Sequence, residues 1–247
     1  MIKRKKYLLA FFFFAYASPF NAQAQTYHLQ SLDDNRVAIN LNYKLYSKEL
    51  TISCLSDTLR LIDYTGTIKG HILNNKFLQI GYEAGGGTGS EIRNTVILSV
   101  VKNKIYVSML VNSYASWFSP NPDNPSSIDK ENRYALKFNI TGDDKSNYKL
   151  TIALHDQQTS KLQPQTNYDK NELVKLAFDP IQNIFYSTRK NTIQSFTIND
   201  PKTQRSVEQR VNGPVTMIVL GNNSYYYIKG EWYRSSDGDS LFKEYYK

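Results

Sequence analysis

Hydrophobic and polar positions alternate along most of this chain, and the clearest pattern lies in residues 76–112. It predicts three strands joined by one glycine-rich loop and one tight turn. The middle strand, 96–101, is apolar at almost every position, which is typical of a strand covered on both faces. The next strand, 105–111, places its apolar residues mainly on one face, so it is predicted to be half buried.

Patterns of the same kind predict strands along the rest of the chain. They lie at 37–41, 50–55, 59–64, 67–73, 76–82, 133–141, 147–154, 183–189, 193–198, 207–211, 215–220, 225–229 and 231–234. Residues 172–178 fit a short helix or a strand, and the early break at Pro180 favours the strand. Because no long helix is indicated, the sequence predicts an all-β fold of antiparallel sheets, arranged as a β-sandwich or a barrel-like meander.

A small β-propeller is the alternative architecture. Polar turns that lead into aromatic strand residues begin at Asn103, Ser146, Asn183 and Asn223. Their spacing of roughly 40 residues is close to the repeat of a propeller blade. The residues around these turns do not repeat, which favours the sandwich or the meander.

A proline-rich segment at 117–127 is predicted to be a long surface loop. It contains three prolines at short intervals with Asn and Ser between them, and a regular β ladder rarely tolerates that composition. The segment begins with Trp117 and Phe118. Aromatic residues on a loop are candidates for ligand binding, and the alternative is that these two rings clamp the loop onto the core.

The first 24 residues have the features of a secretory signal peptide. Basic residues at 3–6 precede an apolar run at 7–17, and 22–24 is a small-x-small cleavage site. Cleavage before Gln25 would leave one all-β domain over 25–247, in the periplasm or outside the cell. No later stretch is long and apolar enough for a transmembrane span.

Charge and cysteine content narrow the range of partners. Loss of the leader lowers the formal net charge from +8 to +4, and the remaining Lys and Arg residues are scattered, so no nucleic-acid partner is expected. The single cysteine, Cys54, lies in a predicted strand and is expected to point into the core. The 19 tyrosines are spread over nearly all predicted strands, which suits sheet surfaces and, as an alternative, a sugar- or peptide-binding face.

The glycine-rich loop at 85–90 is the most conspicuous candidate site. Gly86 and Gly87 allow the backbone to approach a ligand closely. A nucleotide site is not predicted, because the loop leads into a strand and not into a helix whose N-terminus could receive phosphate. Arg93 follows the loop and is a further candidate for ligand binding. A surface ion pair of Arg93 with Glu83 or Glu91 is the alternative interpretation.

No catalytic set, metal site or cofactor site emerges from the sequence. The leading hypothesis is a secreted or periplasmic, non-catalytic binding protein whose partner is a glycan or an envelope protein. Its candidate ligand-binding residues are Trp117, Phe118, Gly86, Gly87 and Arg93. One alternative is a hydrolase of extracellular polymers, with acids drawn from Glu83, Glu91, Asp123 or Asp156. Another is a structural or assembly component of the envelope that presents edge strands to partners.

Overall fold

A computed structural model describes residues 22–44, 48–62, 64–85, 89–237 and 240–246. These residues form strands and one 3-10 helix, Pro164–Thr166, which confirms the all-β fold. In chain order the strands are β1 (Ala22–Gln30), β2 (Arg36–Lys44), β3 (Glu49–Cys54), β4 (Asp57–Ile62), β5 (Tyr64–Leu73), β6 (Phe77–Ala84), β7 (Ser90–Val101), β8 (Lys104–Asn121), β9 (Asn124–Thr141), β10 (Lys149–Ser160), β11 (Tyr168–Asp179), β12 (Ile184–Tyr186), β13 (Thr188–Asp200), β14 (Arg205–Leu220), β15 (Asn223–Ile228), β16 (Glu231–Asp237), β17 (Ser240–Lys243) and β18 (Tyr245–Tyr246).

The first sheet is antiparallel and has the strand order β1-β2-β3-β4-β18. Its buried side chains alternate along each strand, and in β3 they are Leu50, Ile52 and Cys54. Cys54 therefore points into the core, as the sequence predicted. The last strand of the chain completes this sheet, because Tyr245 pairs with Leu61 of β4.

The large sheet has the order β12-β11-β10-β9-β8-β7-β6-β5 and divides into two halves. Strands β9 and β10 pair from Thr141 to Lys130 of β9, whereas β8 pairs with β9 only over 114–121 and 124–135. We call these two paired segments the arm. Outside the arm, the first half of β8 pairs with β7 and not with β9, and the second half of β9 pairs with β10 and not with β8.

The half formed by β5–β8 is a middle layer with both faces covered. Gly70 of β5 faces the ring of Tyr27 in β1, so this face packs on the first sheet. Phe77 points to the opposite face and packs on the other half of the large sheet. The rings around it are those of Tyr148, Phe178 and Phe185. Burial of all residues from 94 to 100 in β7 confirms the predicted strand with two covered faces.

Strands β13–β17 form a small closed barrel. Neighbouring strands in it are antiparallel except β13 and β17, which close the barrel as a parallel pair with Thr197 beside Ser240. The barrel has a core of its own. Its buried members are Phe196, Val215, Met217, Ile228, Tyr233 and Leu241.

Two buried side chains of the barrel cover the free edge of β8. Trp232 Nε1 donates to the Val107 carbonyl at 2.9 Å, and the Tyr225 hydroxyl accepts from the Asn112 amide at 3.1 Å. These bonds satisfy backbone groups that a neighbouring strand would otherwise satisfy. Strand residues 105–111 are almost completely buried as a result, so the prediction that they are half buried was wrong.

The proline-rich segment 117–127 is part of the arm, and the predicted long surface loop was wrong. Strand β8 continues to Asn121 and β9 starts at Asn124. The pairing shifts register on both sides of Pro120. A residue at such an irregularity is not needed as a ladder donor, so a proline there removes no ladder hydrogen bond.

Two further predictions do not hold. The predicted turn at 212–214 lies inside β14, where Gly213 adopts a φ of 103° and still pairs with Thr192 in an unbroken register. The propeller alternative is also wrong, because the described strands form sheets of five and eight strands and a closed barrel rather than a ring of blades.

Candidate functional site

A groove of about 320 Å³ lies on the face of the middle layer that points away from the first sheet. Leu136 and Phe138 of β9 form part of its wall. The floor is contributed by β5, β6, β7 and β8, mostly by alternate residues, with a shift of the β7–β8 register at Ser113. Its polar, charged and aromatic members are Thr67, Lys69, His71, Gln79, Glu83, Arg93, Thr95, Ser113 and Tyr114. We call this space the interlayer groove.

Gly81 lies at the centre of the floor, with Lys69 opposite it on one side and Thr95 on the other. A Cβ atom at this position would lie 3.8 Å from Thr95 Oγ1 and 3.9 Å from the Lys69 carbonyl oxygen, which is ordinary contact. Its φ is not in the left-handed region. Neither crowding nor backbone conformation therefore requires glycine here, and a glycine inside a strand often marks the close approach of a ligand.

The other glycines of this layer have structural reasons. A Cβ atom at Gly70 would overlap the ring of Tyr27, and one at Gly66 would overlap the Glu83 carboxylate. Gly66 allows Glu83 to lie across β5, where Glu83 Oε1 accepts a hydrogen bond from the Thr67 hydroxyl at 2.9 Å. Both positions are filled by a neighbouring side chain, whereas the space above Gly81 belongs to the groove.

The charged side chains at the end of the groove next to the glycine-rich loop are held by their neighbours. Arg93 lies opposite Glu83, and its Nε donates to Glu91 Oε1 at 2.6 Å. Its guanidinium also lies 5.2 Å from the centroid of the Tyr114 ring. The predicted ion pair is confirmed for Arg93 and Glu91. Together with the cation–π contact it fixes the position of Arg93.

The other end of the groove carries a lysine and a histidine, Lys69 and His71, which project from the exposed face of β5. Within the part of the chain that the structure describes, neither side chain has an ion-pair or hydrogen-bond partner. His71 pairs with Gln79. On β6, Gln79 and Glu83 lie on opposite sides of Gly81. This end of the groove therefore carries the positive charge of Lys69.

The structure brings some of the predicted site residues together and separates others. Arg93 lies in the groove. Phe118 lies on the same face of β8 as Tyr114, with its ring beside Gly89. Trp117 is 43% exposed and points to the opposite face of the arm. Gly86 and Gly87 lie outside the described residues.

The four carboxylates considered for hydrolysis are spread over three places in the fold. Glu83 and Glu91 lie at the end of the groove next to the glycine-rich loop, and both accept hydrogen bonds. Asp123 lies in the turn at the tip of the arm. Asp156 lies in β10, where it accepts a hydrogen bond from the Tyr168 hydroxyl at 3.2 Å.

A second cavity of about 320 Å³ lies on the other face of the middle layer. Its buried polar groups bond one another. Asn94 Nδ2 donates to Glu244 Oε2 at 3.1 Å, and Glu244 forms an ion pair with Arg234. The Glu244 carbonyl also accepts from the Ile62 amide at 3.1 Å. These bonds hold the C-terminal segment in place, which assigns this cavity a structural role.

The described residues contain no group of three His, Cys, Asp or Glu side chains that could hold a metal ion. No helix among them has the length and hydropathy needed to cross a bilayer. Comparison of the chain with family models, with curated proteins and with solved structures finds no match. The chemistry of the interlayer groove is therefore the basis for a functional proposal.

Sequence reasoning missed most of the groove residues. Gly81 lies in a predicted strand, and Lys69 and His71 alternate with apolar residues in another, so their shared outward face was readable from the pattern. The pattern did not indicate that a second layer covers part of that face. Without this layer the polar positions look like an ordinary solvent-exposed sheet surface.

Proposed function

We propose that this protein is an exported, non-catalytic binding protein that holds a glycan in the interlayer groove. The features of a signal peptide at the N-terminus support export. The groove combines hydroxyl and amide side chains with the rings of Tyr114 and Phe138. A sugar ring presents hydroxyls at its edge and C–H groups on its faces, so it matches a surface of this kind.

The observation that carries the proposal is the unfilled space above Gly81. A Cβ atom would fit there, yet glycine leaves the backbone open to the groove. Around it the Thr95 hydroxyl donates to Ser113 Oγ at 2.8 Å, and the Ser113 hydroxyl donates to the Arg93 carbonyl at 3.2 Å. The floor next to the space is thus held by a fixed network, and a preformed site loses less entropy on binding.

The groove volume supports a ligand of limited size. About 320 Å³ lies at the lower end of the range for small-molecule sites, which is about 300 to 1,000 Å³. One or two sugar rings of a longer chain are the expected occupants. Phe118 lies further along the same face of β8 and is 42% exposed. It is placed to contact a further ring of a longer ligand.

Gly81→Leu tests the proposal, because it fills the groove without straining the backbone. We expect the glycan to bind at least about tenfold more weakly to this variant, with an unchanged melting temperature. Binding is measured on a glycan array and then by calorimetry with the mature chain from Gln25. An array hit that binds equally well to Gly81→Leu would contradict the groove as the site.

Trp117→Ala tests the sequence-based prediction that Trp117 binds the ligand. Trp117 lies on the face of the arm opposite the groove, so loss of binding in this variant alone would place the ligand on that other face. Loss in Gly81→Leu alone supports the groove. Absence of any glycan hit, together with capture of a defined envelope protein that Gly81→Leu abolishes, would replace the glycan with a protein partner.

A further inference from the structure

The charges of the interlayer groove are unevenly distributed. Glu83 is held by Thr67, and Arg93 is held by Glu91 and Tyr114, so each of these charged side chains at the end next to the glycine-rich loop already has a partner. Lys69 pairs with Gly81 across the sheet. His71, whose side chain also has no partner in the described part of the chain, pairs with Gln79, which lies further from Glu83 along β6. The open space above Gly81 is therefore bordered by a lysine whose side chain has no ion-pair or hydrogen-bond partner among the described residues.

An anionic group on the ligand would be the natural partner of these side chains. A lysine at a protein surface interacts more strongly with a carboxylate or sulfate than two free ions do in bulk water, because the effective dielectric constant near the surface is lower. Residues two positions apart on one strand, such as Lys69 and His71, are separated by about 7 Å. An acidic substituent near Lys69 and His71 is therefore compatible with a sugar ring that lies over Gly81.

We infer that the occupant of the groove is an acidic oligosaccharide, with its carboxylate or sulfate group between Lys69 and His71 and its sugar ring over Gly81. This inference rests on the proposed glycan-binding function and specifies the class of glycan. Gln79, which pairs with His71 in the register of the sheet, offers an amide donor to the same anion. Neutral sugars make the ring contacts but leave Lys69 without a counter-charge.

A matched pair of probes separates charge from shape. Oligogalacturonate carries a carboxylate on each ring, and its methyl ester has the same rings without the charge. We expect the acid to bind about tenfold more tightly than the ester to the wild-type chain at low salt. We also expect this preference to shrink as the salt concentration rises. A sulfated galactan oligosaccharide and its desulfated form make up a second pair, which distinguishes sulfate from carboxylate.

Charge variants connect the preference to the groove. Lys69→Gln is expected to remove most of the preference for the acid, and Lys69→Arg is expected to retain it. Lys175→Gln changes an exposed lysine on β11, away from the groove, and is expected to leave the preference unchanged. Because both positions are exposed, folding is expected to be unaffected in all three variants. Identical melting temperatures are the check.

The outcomes distinguish this inference from the function on which it rests. If acid and ester bind equally well in both probe pairs, and Gly81→Leu abolishes both, the acidic ligand is overturned while glycan binding in the groove stands. If Lys175→Gln reduces the preference as much as Lys69→Gln does, the charge effect is nonspecific and the inference also fails. If no probe binds and the glycan array is empty, the proposed function fails, and the inference fails with it.

Discussion

Gly66, Gly70 and Gly81 occupy similar positions in two neighbouring strands, yet the atoms around them differ. A side chain at Gly66 or Gly70 would collide with Glu83 or Tyr27, whereas a side chain at Gly81 would enter the groove. The first two glycines therefore serve packing, and the third leaves space. Glycine inside a strand costs about 0.5 to 1 kcal/mol relative to alanine, so a glycine with no packing reason points to a role in binding.

Alanine at these positions is expected to have opposite effects on stability. Gly70→Ala forces the Tyr27 ring out of its place, and we expect a loss of about 1 to 3 kcal/mol in the free energy of unfolding. Gly81→Ala is expected to leave this free energy unchanged or to raise it by up to about 1 kcal/mol. Urea denaturation measures both. Equal destabilisation by the two variants would contradict the assignment of Gly81 to the groove.

Asp179 is expected to contribute to the pH dependence of stability. Burial by itself raises the pKa of this carboxyl, but hydrogen bonds from the amides of Gln182 and Ile181 and the ion pair with Arg189 outweigh it, so the pKa is lowered. A lowered folded-state pKa gives a contribution that is complete above the unfolded value of about 3.9. This contribution is lost as the pH falls through the folded-state pKa.

Asp179→Asn is therefore expected to lower the urea midpoint at pH 7 and to reduce the further loss of stability between about pH 5 and pH 2. Asp123→Asn, in the exposed turn of the arm, is the matched control and is expected to behave like the wild type. The same dependence on acid in the wild type and in Asp179→Asn would contradict this role of Asp179.

At the scale of the elements, β8 serves two different neighbours. Its second half pairs with β9 in the arm, while the edge of its first half is covered by side chains of the barrel. Because the first half of β8 does not pair with β9 in this arrangement, β9 runs over the face of the middle layer, where it forms part of the wall of the groove. Trp232 is central to it, because its ring is fully buried and its indole N–H satisfies the Val107 carbonyl.

Trp232→Phe is expected to lower the free energy of unfolding by about 1 to 3 kcal/mol, because the buried Val107 carbonyl loses its donor. Trp117→Phe changes the other tryptophan, which is half exposed in the arm, and is expected to cost less than about 0.5 kcal/mol. Urea denaturation followed by circular dichroism compares the two. Equal losses would show that the indole bond to β8 contributes nothing.

For the whole molecule, the question is whether the barrel unfolds with the two sheets. Most of the core is one continuous cluster that includes Tyr225 and Trp232 of the barrel together with residues of both sheets. The C-terminal segment adds a second connection, since the Tyr245 hydroxyl accepts from the Trp232 amide at 2.9 Å. From these contacts we expect the barrel and the two sheets to unfold together, and the single domain over 25–247 stays a prediction.

Removal of residues 244–247 is expected to uncouple the barrel. In a Trp117→Phe background the fluorescence of Trp232 reports on the barrel, and circular dichroism reports on the whole fold. We expect the two urea transitions to coincide in the full chain and to separate in the shortened one, with the fluorescence change at lower urea. Separate transitions in the full chain would contradict the single domain.

The period-two alternation of side chains determined the all-β class and most of the strands, because alternation is a local property of the chain. It also identified β7 as covered on both faces, because a strand without a polar side exposes apolar side chains to water unless both faces are covered. Cys54 was predicted to lie in the core because its neighbours in the sequence form a strand with alternating apolar residues. Arg93 was found because it follows a conspicuous loop, and the ion pair with Glu91 was a short-range expectation.

Only the tertiary structure decided which strands are neighbours and which faces are covered. The arm was missed because the effect of a proline in a ladder depends on register, and register is set by a partner strand. The burial of 105–111 was missed because the covering residues, such as Trp232, lie more than a hundred positions away. For the same reason the groove emerged only with the fold: its floor and wall come from β5 to β9, and a chain pattern does not specify contacts between distant strands.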